Sequence, residues 1–124
     1  MHVILGGRFQ GKHSYAQKLY SHFTAVSDLE RSNSLAPGLV VNVHLGIRRL
    51  LTEGADVCSF FAENLPVLKQ CVILCEEIGC GIVPVDAFAR KWRDETGRVY
   101  QYLAAEAEIV DRVFAGLPLR LKGG

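Results

Sequence analysis

Val3, Ile4 and Leu5 form a short run without a polar break, and it stops at Gly6-Gly7. Such a run is apolar on both faces, which predicts a buried strand. From Lys12 the period changes: Tyr15, Ala16, Leu19 and Phe23 recur at the spacing of one helix face. Strand, glycine loop and helix therefore follow one another directly. Residues 24–38 lose the pattern and collect Ser27, Asp28, Ser32, Asn33, Ser34, Pro37 and Gly38, which predicts a flexible connection. Residues 39–43 predict a second buried strand, and residues 45–51 the start of a helix closed by Gly54. Phe60, Phe61, Leu65 and Leu68 predict a helix over 59–69, shortened or kinked by Pro66. Residues 71–75 read as the clearest buried parallel strand, followed by Glu76, Glu77 and a loop with Gly79, Gly81 and Pro84. Val85, Phe88, Ala89 and Trp92 match i, i+3, i+4, i+7 and predict an amphipathic helix over 85–95, ended by Gly97. Phe88 and Trp92 are assigned to the core. Val99, Tyr102, Leu103, Ile109 and Val110 predict a further helix, and residues 113–115 and 117–121 a closing pair of short strands joined near Gly116.

Strands alternating with helices predict one α/β domain over residues 1–124, with a mainly parallel sheet and a short antiparallel strand pair at the C-terminus. In such sheets ligands bind beyond the C-terminal strand ends. The loop from Gly6 to Gly11 and the pair Glu76 and Glu77 both stand at such ends, so neighbouring strands would bring them to one crevice.

Composition narrows the function classes. The net charge is +1, so no strong field draws nucleic acid or a membrane surface to the protein. No apolar run approaches the roughly 20 residues that span a bilayer. The opening residues lack the basic segment and length of a signal peptide. The expectation is a cytoplasmic protein with no nucleic-acid and no membrane partner. The four cysteines Cys58, Cys71, Cys75 and Cys80 contain no CxxC pair and read as reduced, with Cys71, Cys75 and Cys80 as buried core thiols rather than metal ligands.

The candidate chemistry lies in Gly6-Gly7-Arg8-Phe9-Gln10-Gly11-Lys12-His13, which follows G-x-x-x-x-G-K but ends in His rather than Ser or Thr. In that motif backbone N–H groups cradle phosphate oxygens, the Lys ammonium reaches the terminal phosphates, and the hydroxyl binds Mg²⁺. Gly6, Gly7, Gly11, Lys12, His13 and Ser14 are the candidate nucleotide-binding residues. Imidazole is a poor ligand for a hard ion that wants oxygen. Ser14 stands one position late, about 100° further round the helix. The competing reading is a glycine-rich strand-to-helix turn with no ligand.

Two strings in the second half are distinctive: Glu77-Ile78-Gly79-Cys80-Gly81-Ile82-Val83-Pro84, and Arg93-Asp94-Glu95-Thr96-Gly97-Arg98-Val99-Tyr100-Gln101-Tyr102-Leu103-Ala104. With Arg90, the closing Gly116-Leu117-Pro118-Leu119-Arg120-Leu121-Lys122 and the opening Ile4-Leu5-Gly6-Gly7 with Gly11-Lys12, they resemble the bifunctional adenosylcobinamide kinase and adenosylcobinamide-phosphate guanylyltransferase family of cobalamin biosynthesis. The resemblance implies a three-layer, RecA-like P-loop domain. It implies ATP or GTP with Mg²⁺ as cofactors, adenosylcobinamide as substrate and a homo-oligomer. It also implies phosphorylation of the aminopropanol hydroxyl, then GMP transfer through a guanylylated histidine. Lys12 and Glu77 become the candidate catalytic residues, Glu77 orienting a water, a metal or a substrate hydroxyl. The alternative for Glu76 and Glu77 is a solvated acidic pair, and Arg90 and Arg93 are either phosphate contacts or a solvated face.

The chain departs from that pattern at two places. A long family segment after the first helix carries the guanylylated histidine, whereas residues 24–38 are short and contain no histidine. His22 and His44 flank this gap and read as surface or helix-end residues. Asn42 stands where the family has a carboxylate, and brings no charge to a metal. The family's threonine just beyond has no counterpart. The residues are compatible with a shortened kinase that has lost guanylyl transfer, and with a non-catalytic nucleotide- or corrinoid-binding relative that works as a pseudoenzyme or partner subunit.

Overall fold

The computed structural model describes residues 1–78 and 86–124. The predicted loop over Gly79, Gly81 and Pro84, the start of the helix at Val85, and Cys80 lie outside the described residues. The described elements run β1 (His2–Gly6), α1 (Lys12–Leu19), β2 (Val26–Asp28), β3 (Leu39–Val41), α2 (Val43–Thr52), α3 (Val57–Glu63), α4 (Leu65–Leu68), β4 (Val72–Glu76), α5 (Ala87–Glu106), β5 (Ile109–Phe114) and β6 (Leu117–Lys122). The strands form one sheet in the order β2-β3-β4-β1-β5-β6. All neighbours are parallel except the β5–β6 hairpin.

The two sheet faces carry separate apolar layers. Val3, Val40, Ile73 and Val110 pack with Ile47, Phe61, Val99 and Leu103 from α2, α3 and α5. On the opposite face Ile4, Leu39, Leu74 and Val113 pack with Ala16 of α1. Helices on both faces explain why β1 and β4 have no polar alternation: neither face meets water. The result is the expected three-layer α/β fold with a parallel sheet and an antiparallel C-terminal pair.

Several local expectations are corrected. Residues 24–38 contain β2, which pairs Val26, Ser27 and Asp28 with Leu39, Val40 and Val41. Its side-chain pattern is inverted for a buried strand, with Val26 exposed and Ser27 buried. Backbone pairing compensates, and the Ser27 hydroxyl accepts from the Ala36 N–H at 3.2 Å. Leu29, buried under α2, ties this segment to the core. The helix predicted over 59–69 is two short helices that meet at Asn64, with Pro66 in the first turn of α4, where its missing N–H leaves no gap. α1 ends at Leu19, so Phe23 lies outside it, and Leu19 is exposed.

The largest difference is α5. Gly97 does not end a helix; α5 runs through it to Glu106. Thr96, Val99 and Leu103 are buried along this helix, and that packing outweighs the roughly 1 kcal/mol that glycine costs inside a helix. Ile109 and Val110 belong to β5 rather than to a helix. Phe88 sits exposed near the start of α5, whereas Trp92 packs against the core. Cys71 and Cys75 are buried as expected, but Cys58 is exposed. Burial pushes the Cys75 thiol far above the ordinary thiol range. No described helix is long and apolar enough to cross a membrane.

One buried polar network joins four elements. Asp111 of β5 is 1% exposed. Its carboxylate meets His2 Nε2 of β1 at 2.6 Å and accepts from the Tyr15 hydroxyl of α1 at 3.0 Å. Arg120 of β6 donates to the other carboxylate oxygen. His2 Nδ1 in turn meets the Tyr20 hydroxyl at 2.9 Å. Burial alone would raise the Asp111 pKa, yet the donors Arg120, His2 and Tyr15 together hold it below the ordinary carboxylate value.

Two stability predictions follow from these contacts. Asp111→Ala leaves His2, Tyr15 and Arg120 without their shared acceptor and should destabilise the fold by about 3 kcal/mol in urea unfolding. Because the folded carboxyl is depressed, its contribution is complete above the unfolded pKa and fades as pH falls through the folded one. The stability gap between wild type and Asp111→Asn should therefore narrow on acidification below about pH 4. At Gly97 an added Cβ meets nothing within 4 Å. Gly97→Ala should raise the unfolding free energy by roughly 0.5–1 kcal/mol.

Candidate functional site

The central strand β1 ends at Gly6, between β4 and β5. A Cβ on Gly6 would stand 2.8 Å from the Val113 carbonyl oxygen and 3.0 Å from Lys12 Cγ. Glycine is thus what lets the Lys12 stem cross the strand end. The loop turns back through a Gln10 N–H to Gly7 carbonyl bond of 3.3 Å. It enters α1 through Gly11, whose φ of 96° lies in the left-handed region. Lys12 Nζ folds over the loop and donates to the Gly7 carbonyl at 2.8 Å. Burial holds this ammonium below the ordinary lysine pKa, against the opposing pull of Glu76.

The β5–β6 hairpin clasps the loop from one side. The Ala115 N–H donates to Gln10 Oε1 at 2.6 Å, and the Gly116 N–H donates to the Gln10 carbonyl at 2.9 Å. Ala115 and Gly116 both have positive φ, 51° and 76°, the signature of a tight hairpin turn whose twist matches its strands.

The opposite wall comes from β3, β4 and α2. Glu76 is registered opposite Gly6, and the Glu77 N–H donates to the Gly6 carbonyl at 2.9 Å. This pairing brings the acidic pair to the glycine loop, as neighbouring strands would require. The two carboxylates then diverge. Glu77 forms a bidentate pair with Arg112 at 2.8 and 3.0 Å. Glu76 lines an open cavity of about 450 Å³ together with Gly11, Lys12, His13, Ser14 and His44. Glu77 is not among the described lining residues.

His44, in the first turn of α2, is not a surface residue. It is 7% exposed, and its Nε2 lies 3.1 Å from Glu76 Oε2. Its ring stacks on Trp92 with centroids 6.4 Å apart, and Trp92 Nε1 donates to the His44 carbonyl at 2.7 Å. Its Nδ1 is buried and has no hydrogen-bond partner among the described residues. With the proton on Nε2, that orphan is a bare lone pair; a second ring proton would be a buried donor without an acceptor. Burial lowers the His44 pKa, against the pull of Glu76. Below Glu76, the Tyr100 hydroxyl donates to its carbonyl at 2.6 Å.

The remaining predicted residues separate. His13 and Ser14 are both exposed in the first turn of α1. Asn42 occupies the N-cap position of α2 with φ 59°, and its amide donates to Asp28 Oδ1 at 2.9 Å. Asp28, from the unexpected strand β2, therefore stands beside Asn42. His22 is exposed and Arg93 pairs with Asp94, and neither Arg93 nor Arg90 lines the cavity. No cluster of three or more His, Cys, Asp or Glu suited to a metal occurs among the described residues. For Mg²⁺ the cavity offers the Ser14 hydroxyl and the Glu76 carboxylate as hard oxygens, the latter 3.1 Å from His44 Nε2.

A parallel sheet whose central strand feeds a glycine loop, a lysine and a helix N-terminus defines the P-loop class of α/β folds. Sequence comparison narrows the class. The family profile described as cobinamide kinase / cobinamide phosphate guanyltransferase matches residues 39–121. The chain belongs to this family. It is 45% identical over 79 residues to the bifunctional adenosylcobalamin biosynthesis protein CobU of Salmonella typhimurium, covering 64% of this chain and 42% of that protein. It is 38% identical over 68 residues to CobU of Escherichia coli K12, covering 55% of this chain and 38% of the relative. With the corresponding protein CobP of Pseudomonas aeruginosa it shares 38% identity over 52 residues, covering 42% of this chain and 30% of that protein. The chain thus matches well under half the length of these curated relatives.

Sequence reasoning passed over His44 and Gln10. The usable signal for His44 was its place two residues beyond Asn42, in the first turn of a helix that starts at a sheet's C-terminal edge. For the Gln10 side chain no local signal exists, since the Ala115 N–H that it accepts from is 105 positions away.

Gly11→Ala would force an alanine into the left-handed region and set its Cβ 3.3 Å from Gly116 Cα. The expected loss is about 1–2 kcal/mol in chemical unfolding. A stability equal to wild type would mean that the loop adopts another path.

Proposed function

We propose that this chain binds a nucleoside triphosphate, ATP or GTP, under the Gly6–Lys12 loop and acts as a phosphotransferase of the cobinamide-kinase type, with adenosylcobinamide as acceptor. The observation that carries the reading is the convergence of Lys12 and Glu76 on one cavity at the C-terminal edge of β1 and β4. The family profile begins at Leu39, so the phosphate role of the loop rests on its own geometry. Gly6, Gly7 and Gly11 would let backbone N–H groups approach the phosphates, and Lys12 would exchange its Gly7 carbonyl for a phosphate oxygen. Mg²⁺ would arrive with the nucleotide, held largely by phosphate and water, with Ser14 as the hydroxyl on the loop side. It would neutralise charge on the transferring group. His13 has no part in holding that ion.

Guanylyl transfer is not part of this proposal. The segment carrying the family's guanylylated histidine is replaced here by residues 24–38, which contain β2 and no histidine. Glu77, paired with Arg112, orders the strand end rather than the reacting groups. Self-association belongs to the proposal. Leu117, Leu119 and Leu121 alternate on one face of β6, with Phe114 paired opposite Leu117, and all four are exposed. A second copy would cover that apolar strip.

A second reading, a nucleotide-binding relative without catalysis, is favoured by one observation: the Asn42 amide is committed to Asp28 and brings no charge to a metal. Calorimetric titration of ATP and GTP, with and without Mg²⁺, addresses both. Lys12→Ala should weaken binding by roughly ten- to a hundredfold, the worth of a charge-assisted hydrogen bond to phosphate. Equal affinity in the variant would remove the loop from nucleotide binding. Wild-type affinity indifferent to Mg²⁺ would favour the non-catalytic reading.

A further inference from the structure

We propose that Glu76 is the general base that takes the proton of the acceptor hydroxyl, and that His44 is the positioning residue that aims it. The inference rests on the phosphotransferase reading above and adds residues that the family resemblance does not supply, since that resemblance points to Glu77.

Three features single out Glu76. It is the described carboxylate on the cavity wall, whereas Glu77 is spent on Arg112 through both oxygens. Its backbone is fixed twice, by the register with Gly6 and by the Tyr100 hydroxyl on its carbonyl. One of its oxygens, Oε2, lies 3.1 Å from His44 Nε2, which leaves Oε1 to accept from a substrate hydroxyl. A metal-ligand role fits less well, because a hard ion would compete with His44 for the same carboxylate.

His44 is suited to orient rather than to react. Its ring stacks on Trp92 on one side, its carbonyl accepts from the same indole, and it is nearly fully buried. A packed ring set directly behind a carboxylate restricts the directions the carboxylate can take. The partners facing this ring are Glu76, Lys12 and Glu30 by charge and Trp92 by stacking.

The step balances as follows. The acceptor oxygen forms a bond to the terminal phosphorus of the nucleotide while its proton passes to Oε1 of Glu76. The bond from that phosphorus to the bridging oxygen breaks, and the nucleoside diphosphate leaves with the electron pair. The proton on Glu76 is lost to water through the open cavity mouth. His44 takes no part in the proton transfer.

The test combines binding and transfer in Glu76→Gln, His44→Ala and His44→Gln, with γ-labelled ATP or GTP and adenosylcobinamide. Glu76→Gln is nearly isosteric and should fold as wild type. It should bind Mg-nucleotide as tightly as wild type, or more tightly because a negative charge facing the phosphates is gone. Its transfer rate should fall roughly a hundredfold or more, the usual worth of a general base. His44→Ala should lower kcat about tenfold with little change in nucleotide KM. His44→Gln, which retains a donor, should recover part of that loss.

Loss of Mg-dependent nucleotide affinity in Glu76→Gln would make Glu76 a metal ligand and overturn the proposal. So would unchanged transfer in that variant, or equal defects in both His44 variants. A wild type that binds nucleotide but transfers nothing would overturn it while leaving nucleotide binding intact. A wild type that binds no nucleotide would sink the underlying reading as well.

Discussion

The architecture depends on the buried carboxylate of Asp111. Removed from water, it is tolerable only while its donors are in place, and those donors come from β1, α1 and β6. α1 needs that attachment. Only Ala16 of this helix is fully buried, so its apolar face contributes little grip on the sheet. Its direction is set by Tyr15 on Asp111 and by Tyr20 on His2. The glycine loop spans the short distance between the end of β1 and the start of α1, and the network fixes both ends.

The site is assembled around that frame. Parallel pairing of β1 with β4 sets Glu76 beside Gly6, and the β5–β6 hairpin holds Gln10 from the other side. α2 and α5 then supply His44 and Trp92 as one stacked unit behind Glu76. Each contribution comes from an element that is also a core element. The cavity is therefore a consequence of how the layers pack, and a ligand entering it would meet groups already in position.

Much of the fold was legible because β1, β3 and β4 are apolar on both faces and the helices follow a 3.6-residue period. The glycine loop was legible because its residue types are tied to backbone geometry that Gly6 and Gly11 supply. What was hidden has physical reasons. β2 carries Ser27 inward and Val26 outward, so backbone pairing rather than side-chain pattern defines it. Gly97 signals a helix end locally, but burial of Thr96, Val99 and Leu103 carries α5 through it. Which of Glu76 and Glu77 enters the cavity was undecidable from adjacent positions, because Arg112 is 35 residues away from Glu77. His44 read as a surface or helix-end residue; it is at a helix end but buried, because the residues it packs against, Glu76 and Trp92, lie far along the chain.

The most direct measurement is an amide spectrum of the ¹⁵N-labelled protein titrated with Mg-ATP and, separately, with inorganic tripolyphosphate. Both ligands should move the amides of Gly6, Gly7, Gly11, Lys12 and His13. Mg-ATP should also move His44 and Glu76, while Asp111 and Tyr20 stay still. Shifts confined to other surfaces, or none at saturating ligand, would contradict the claim that this preformed cavity is a phosphate site.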